Sequence, residues 1–507
     1  MRTYQFGKHR PTGLVGRRDL GEQIVLGAGA SIGILGSFAV SSMSAAAAGV
    51  VLALPIVVAV LVVFMPYRPR GTEQRRTIYR WWRIARYHRQ ALARTGGVWT
   101  NPAVERGTPV GGFPPDSALE GPEGIAGMTW LPVVVRGQDA VVVMQPAAGC
   151  ITGTLEVSSP GLGGKDPSEQ AVTVARFGEL LDAFGNSEQH PIKRVQVLAR
   201  QMKSDPHAHQ AWVAERDATA ATADVPAWLK ESYETLATAV STSAEEHRYY
   251  ITVHARFTRD LAADASSRGT GDEGVAAVMA TCLEELWARC EDAELTVIAP
   301  LSVPKLTALI RNSFDPDHAI WDEDLPVSHA WPRQIDVRDG RYVAARAADS
   351  VTSWYHATAA VRSWPGTPVG PDFLSPLLIG MPDVIRTLAI TQDLEPNDQA
   401  VERMLSEDTN NQAELLRAQA RGKNVDPRDV LAANATGSRG MALAQSGAAG
   451  SSVVGYITVS ARSADELERT KRTAASRARS AHLRIEWLDL EHARAIACTL
   501  PFAGGIL

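Results

Sequence analysis

Forty-five consecutive positions, Gln23 to Tyr67, carry no ionisable side chain other than the phenol of Tyr67 itself. About 20 apolar residues in a helix cross a hydrocarbon core of roughly 30 Å, so the run is long enough for two crossings. Its middle, "SSMSAAAAG" (Ser41–Gly49), is small and weakly polar, which suits a tight turn. The pattern therefore predicts two spanning helices, about 24–42 and 46–64, within an N-terminal unit of residues 1–67. A buried soluble hairpin would need a large core around it on every side. The run starts too far into the chain and is too long for a cleaved signal peptide. Gly29 and Gly33 form a GxxxG pair, expected to let the helices pack closely.

Beyond the run the periodicity changes. Residues 96–130 are rich in Gly and Pro and read as a linker. "AVVVMQ" (Ala140–Gln145) and "ITGTLEVSS" (Ile151–Ser159) predict a strand pair. "DPSEQAVTVARFGELLDAFGN" predicts a helix with Val172, Phe177, Leu180, Leu181 and Phe184 inward. "IKRVQVLARQM" follows as a strand, then a long helix over about 218–246. In "HRYYITVHARF", Tyr250, Thr252 and His254 alternate with Ile251, Val253 and Ala255, the period of a strand. A helix over 274–289, the strand "ELTVIAP" and a helix over 302–314 complete a region of residues 131–315.

Residues 316–350 are acidic and broken by Pro326 and Pro332, and read as irregular. Residues 351–507 repeat the mixed pattern: strands at "YHATAAVRSWP" and "VIRTLAITQDLEP", a long helical zone, then strand, helix and strand to "LRIEWLD". "HATAAVRSW" and "GYITVSA" echo "YITVHAR". The fold class expected is α+β: a membrane hairpin followed by strand-helix-strand units, arranged as two ferredoxin-like halves.

Charge sharpens this picture. Residues 1–22 carry a net +3 and residues 68–94 a net +8, so the total of −5 leaves −16 for the rest. Basic flanks on both sides of the hairpin place both on the cytoplasmic side, with only the short turn outside and the large remainder cytoplasmic. Within residues 68–95, Ile78, Trp81, Trp82, Ala85 and Leu92 recur near a helical period, among Arg75, Arg76, Arg80, Arg83, Arg86 and Arg89. Such a helix can rest tryptophans at headgroup level while its arginines meet anionic lipid. Arginines interleaved with aromatics also suit single-stranded nucleic acid, but the position directly after a spanning helix favours lipid. Packing against a neighbouring subunit stays open.

Motifs for chemistry are sparse. "GLGGKDPS" (Gly161–Ser168) lacks the first Gly and the final Ser/Thr of a phosphate loop, and puts Asp166 where phosphates would sit. Twelve histidines give no HExxH and no zinc spacing. Cys150, Cys282, Cys290 and Cys498 form no CxxC and read as buried thiols. Asp315, Asp317, Asp322, Glu323 and Asp324 crowd round His318 without the central Gly of a calcium loop, so they are expected to form an exposed acidic docking loop. No catalytic, cofactor or metal residues are assigned, and the chain is expected not to be an enzyme.

Three phrases carry a resemblance: "YQFGKHRPTGLVG" near the start, "GPDFLSPLLI", and the terminal "TLPFAGGIL". Together with the hairpin they resemble an actinobacterial family of membrane proteins encoded beside conjugation-like secretion ATPases. The hairpin is similar to the small PrgI-like inner-membrane subunit of type IV secretion systems. The soluble part is similar to the non-catalytic N-terminal domain of their hexameric ATPase. The layout also resembles the E component of type VII secretion complexes. Tyr4, Phe6, Gly7, Arg10 and Gly13 match the first phrase, Gly370, Pro371, Asp372 and Phe373 the second, and Leu500 and Pro501 the third. The resemblance implies no catalytic role for any of them. It implies a bilayer, a separate ATPase and other membrane subunits as partners, with homo-oligomerisation open and direct nucleic-acid binding disfavoured. A membrane-bound ligand-binding regulator or a membrane-proximal nucleic-acid-binding protein is the alternative.

Overall fold

The computed structural model describes residues 20–40, 45–68, 76–105, 121–122, 125, 127–159, 161, 164–187, 190–204, 213, 226–321, 324–365, 369–420 and 440–505. Two apolar helices open it, α1 (Leu20–Val40) and α2 (Ala45–Phe64). Both are long and apolar enough to cross a membrane. Ala45 to Gly49, expected in the turn, already belong to α2. α1 and α2 lie antiparallel and approach closely where α1 presents glycine. A Cβ at Gly29 would stand 2.5 Å from that of Ala59, and one at Gly33 2.6 Å from the Leu52 carbonyl oxygen. Ile24, Leu35, Phe38, Val50, Leu54 and Val57 point outward and are uncovered by protein.

Past a short strand pair, β1 (Pro66–Tyr67) with β2 (Arg76–Thr77), comes α3 (Ile78–Thr95). Thr77 caps α3 by accepting from the Arg80 amide, and Gly96 ends it in the left-handed region at φ 66°.

The rest is a mixed helix and strand domain built on one sheet. Its strands are β3 (Val98–Thr100), β4 (Thr129–Val135), β5 (Gln138–Gln145), β6 (Cys150–Ser158), β7 (Ile192–Lys203), β8 (Glu245–Arg256), β9 (Thr296–Pro300), β10 (Gln334–Asp336), β11 (Val343–Arg346), β12 (Ser353–Ser363), β13 (Ile385–Glu395), β14 (Gly450–Ala461) and β15 (Arg484–Trp487). Their order is β3-β10-β11-β12-β14-β13-β7-β8-β6-β5-β4, with β9 beside β6 and β15 beside β12. β6 to β9 lie in the order β9-β6-β8-β7, and β12 to β15 in the order β15-β12-β14-β13. Both sets are antiparallel throughout and follow the same path. The halves meet edge to edge where β7 pairs with β13, from Arg194↔Asp393 to Gln201↔Arg386.

Two expectations are corrected here. The acidic stretch 316–350 supplies β10 and β11, and the linker expected at 96–130 begins with β3, which pairs with β10. These strands are too short to leave a periodic signal, and β3 finds its partner, β10, only far along the chain. The long helix expected over 218–246 is Ala227–Ser243 among the described residues, and β8 already starts at Glu245.

Helices cover one face of the sheet: α4 (Pro167–Gly185), α6 (Arg259–Arg268) and α7 (Asp272–Asp292) over the first half, and α10 (Ala464–Ser480) over the second. Between these come α5 (Ala227–Ser243), α8 (Val303–Phe314) and α9 (Asn397–Ala420). Asp166 begins α4 as its cap, accepting from the amides of Ser168 and Glu169 while Glu169 reaches back. That is the structural work of the segment that superficially resembles a phosphate loop. All four cysteines are buried, and burial pushes the Cys282 and Cys290 thiols up to about 12.

The opposite face is polar yet also covered. Thr154, Gln196, Arg200, Thr252, His254, His356, Thr358, Thr391 and Thr458 all point to it and are buried. The cover over its centre is the segment from His492 to Ala503, which contains the phrase "TLPFA". Gln196 donates to the Cys498 carbonyl (2.9 Å) and accepts from the Ala503 amide (3.1 Å), while Arg194 donates to the Ala503 carbonyl. Thr499 donates to the Ile496 carbonyl, so Thr458 must donate to Thr499 and Thr358 to Thr458, a one-way chain of hydroxyls. Phe502 then stacks near Trp331, closing a core that draws on both halves.

Candidate membrane-proximal interface

The hairpin and the sheet meet around α3. Tyr67, three residues past the end of α2, pairs with Arg76. The Arg76 side chain is only 7% exposed and reaches two carboxylates, Glu486 on β15 (2.6 Å) and Glu491 (3.3 Å). Arg362 of β12 also pairs with Glu486. The Arg76 guanidinium lies over the Trp81 ring, 5.4 Å from its centre. One turn along, Arg80 pairs with Glu22 of α1, whose side chain is 1% exposed. Arg494 packs over Tyr87, and Leu490 donates its amide to the Gly340 carbonyl beside His88. Gly340 sits at φ 73°, and a Cβ there would strike Leu490.

Arg76 and Trp81 thus do not rest among headgroups as expected; Glu486 and Glu491 hold Arg76 in the protein, and Trp81 is buried beside its guanidinium. The carboxylate partners of Arg76 lie more than 400 residues away, beyond any local pattern. Glu22 had a visible signal, as the last charge before the apolar run. Trp82, Arg83, Arg86 and Arg89 occupy the opposite, exposed face of α3, with Arg86 over the Trp82 ring. Arg75 lies outside the described residues.

The acidic loop is only partly exposed. Asp315 is buried against Arg311 (3.0 Å), which also pairs with Asp349. Asp317 accepts from the Trp354 indole and pairs with Arg462. Asp324 is exposed, while Asp322 and Glu323 lie outside the described residues. The sequence showed the acids but not their arginines: Arg311 holds Asp315 inward, while Asp317 stays exposed in its pair with Arg462.

Gly370 to Phe373 begin a loop that leads to β13. Its carbonyls at Leu377, Leu378, Met381 and Val384 all accept from Arg386, whose guanidinium also pairs with Glu245 (3.3 Å). This phrase is therefore held by one buried cation. Leu500 and Pro501 lie in the cover over the polar sheet face. Tyr4 to Gly13 are outside the described residues. Among the described residues, no group of three or more His, Cys, Asp or Glu stands together as a metal site.

Compared with known protein families and with characterised proteins, the sequence matches none.

Proposed function

We propose that this protein is a non-enzymatic inner-membrane subunit of a secretion or conjugation-like translocation apparatus, which anchors and docks a separate ATPase. The observation that carries the reading is the double clasp of Arg76 on Glu486 and Glu491, with Arg80 on Glu22. It ties a hairpin of outward apolar side chains to a large folded domain. A clasp of that kind suits a part that must transmit position between bilayer and machine. The strand order 4-1-3-2 within each half supports reading them as two ferredoxin-like modules joined through β7 and β13. The domain would lie on the cytoplasmic side, because both hairpin flanks are basic. Trp82, Arg83, Arg86 and Arg89 would face the inner leaflet, and Asp324 with its acidic neighbours would offer a docking edge.

Affinity purification from native membranes, with the neighbours identified by mass spectrometry, tests this. The expected result is an ATPase of the conjugation type and further membrane subunits, recovered only after detergent extraction. Release without detergent, or repeated recovery of no ATPase, would defeat it.

A further inference from the structure

Four consecutive residues of β8, Glu246 to Tyr249, line a cleft of about 420 Å³. Successive side chains of a strand point to opposite faces, so a cleft touched by all four runs along the strand's edge. The register explains why that edge is open. β7 accompanies β8 down to Glu245, but β6 stops pairing at Val157↔Tyr249 and ends at Ser158. Among the described residues, Glu245 to Arg248 thus have a neighbouring strand on one side only. The Ser204 amide donates to the Ala244 carbonyl on the β7 side, and the Phe257 amide donates to the Gly149 carbonyl on the β6 side. Even-numbered residues of β8 therefore turn their main-chain groups to β7 and odd-numbered ones to β6. At His247 that second side holds no strand, so its N–H and C=O point into the cleft.

The walls are apolar with one open charge. Tyr250 and Leu301 are buried at its base, while Ile298 and Trp321 line it at 52% and 43% exposure. Arg248 is already answered within the sheet, donating to Glu246 (2.6 Å) and Glu156 (3.0 Å). Lys305 of α8 lines the same cleft, half-buried, with no ion pair among the described residues.

We propose that this cleft takes an extended peptide segment of a partner protein, which adds to β8 as a strand beyond the end of β6. The residue opposite His247 would exchange both main-chain hydrogen bonds with it. Its two neighbours would turn to the face that carries Tyr250 and α8. Apolar side chains fit there, and an acidic one beside them would meet Lys305. The open edge from Glu245 to Tyr249 is about 13 Å long, enough for about four residues. A peptide is favoured because an unpaired strand edge offers a donor and an acceptor at the spacing of another backbone. A second copy is disfavoured because a cleft of this volume admits a single chain and not the edge of another folded sheet. The inference does not depend on the reading of α1 and α2 as a membrane hairpin.

The test selects octapeptides from a random phage-displayed library against the full chain in nanodiscs, with empty nanodiscs as counter-selection. Enriched sequences should alternate apolar residues and carry an acid. In a synthetic copy of the best one, N-methyl groups walked along the backbone should weaken binding about tenfold at every second amide and little between. That period belongs to a strand edge and leaves the protein untouched. His247→Pro removes the amide that faces the cleft and keeps the β7 ladder whole, so it should weaken binding about tenfold. Trp321→Ala should weaken it about thirtyfold and Lys305→Gln about threefold, with thermal midpoints held. No enrichment over empty nanodiscs would overturn the inference, as would N-methylation without a period of two. Binding unchanged in both His247→Pro and Trp321→Ala would do the same. Self-association of the chain that the peptide competes away would make a second copy the occupant and overturn it as well.

Discussion

In the hairpin, Ile24, Leu35, Phe38 and Leu54 are each at least 60% exposed, whereas Ile151, Leu155, Val195 and Val253 of the sheet are fully covered. The side chains are of the same kind; only their surroundings differ. Covering a Leu or Ile is worth about 1.5–3 kcal/mol in water, so the hairpin would forgo that gain at every outward position if water surrounded it. Lipid removes the deficit without any protein contact. The two regions accordingly solve packing differently. Side chains interdigitate in the sheet, while α1 and α2 touch through Gly29, Gly33 and Gly36, whose missing side chains let backbones approach.

The largest effect should come from the sheet side of this comparison. Trp331 is 1% exposed, edge-on to Phe314 and tilted against Phe502, in a core that gathers residues from both halves and the C-terminal cover. Trp331→Ala is expected to cost about 3–5 kcal/mol of domain stability, read as a lowered thermal midpoint, while membrane partition stays unchanged. A protein that leaves the membrane fraction on this change would show that anchoring depends on the sheet and not on the hairpin alone.

Next comes the reverse experiment. Val57 is outward on α2 and Val351 is outward on the sheet domain, at 51% and 92% exposure. Val57→Arg should oppose insertion by about 2.5–3.5 kcal/mol, and Val351→Arg should change stability by no more than about 0.5 kcal/mol. Alkaline extraction of membranes separates the two variants. Equal retention of both would mean that position 57 does not meet hydrocarbon.

How far these contrasts could be read from the chain follows the range of the interactions. The hairpin was legible because a run without charge is a local signal, and so was the alternation of Tyr250, Thr252 and His254 in β8. What that alternation could not reveal is that its polar side is buried. A strand with one polar face ordinarily turns that face to water, and here the cover comes from residues near 500, some 250 positions away. The same limit hid the clasp: Arg76 reads as one arginine among nine, and nothing near it points to Glu486 or Glu491. Short strands such as β10 and β11 carry too few residues for a period to show.

The buried polar face has a pH signature that the hairpin lacks. His356 donates from Nε2 to the Phe314 carbonyl (3.0 Å), which can only accept, so Nδ1 accepts from the Ser460 hydroxyl (2.8 Å) in the neutral ring. Burial, opposed by the Phe314 bond, lowers its pKa to about 3, and burial with Arg194 nearby lowers that of His254 to about 4. A folded pKa below the unfolded value near 6.5 means that the unfolded chain binds more protons between these limits. Stability from these residues is thus complete above about pH 6.5 and declines as pH falls toward the folded values. For His356 alone the loss should approach about 1.4 kcal/mol per pH unit near pH 5. Denaturant unfolding of the wild type and His356→Asn should give slopes against pH that differ by one proton. Parallel slopes would mean that His356 is already reached by water.

Gly33→Ala tests the hairpin's own packing and should have the smallest effect. The added methyl would lie 2.6 Å from the Leu52 carbonyl oxygen, a backbone atom that cannot rotate away, so the helices must separate locally. Overpacking of this kind costs about 1–3 kcal/mol in well-packed interiors, and lipid can follow the separation, which places the cost at the lower end. The measurement is the distance between spin labels at Ser37 and Gly49, expected to lengthen in the variant while the domain's thermal midpoint holds. Gly27→Ala, where an added Cβ meets nothing within 4 Å, is the matched control and should leave the distance as it was. If both changes lengthened it equally, close approach at Gly33 would not be what holds α1 against α2.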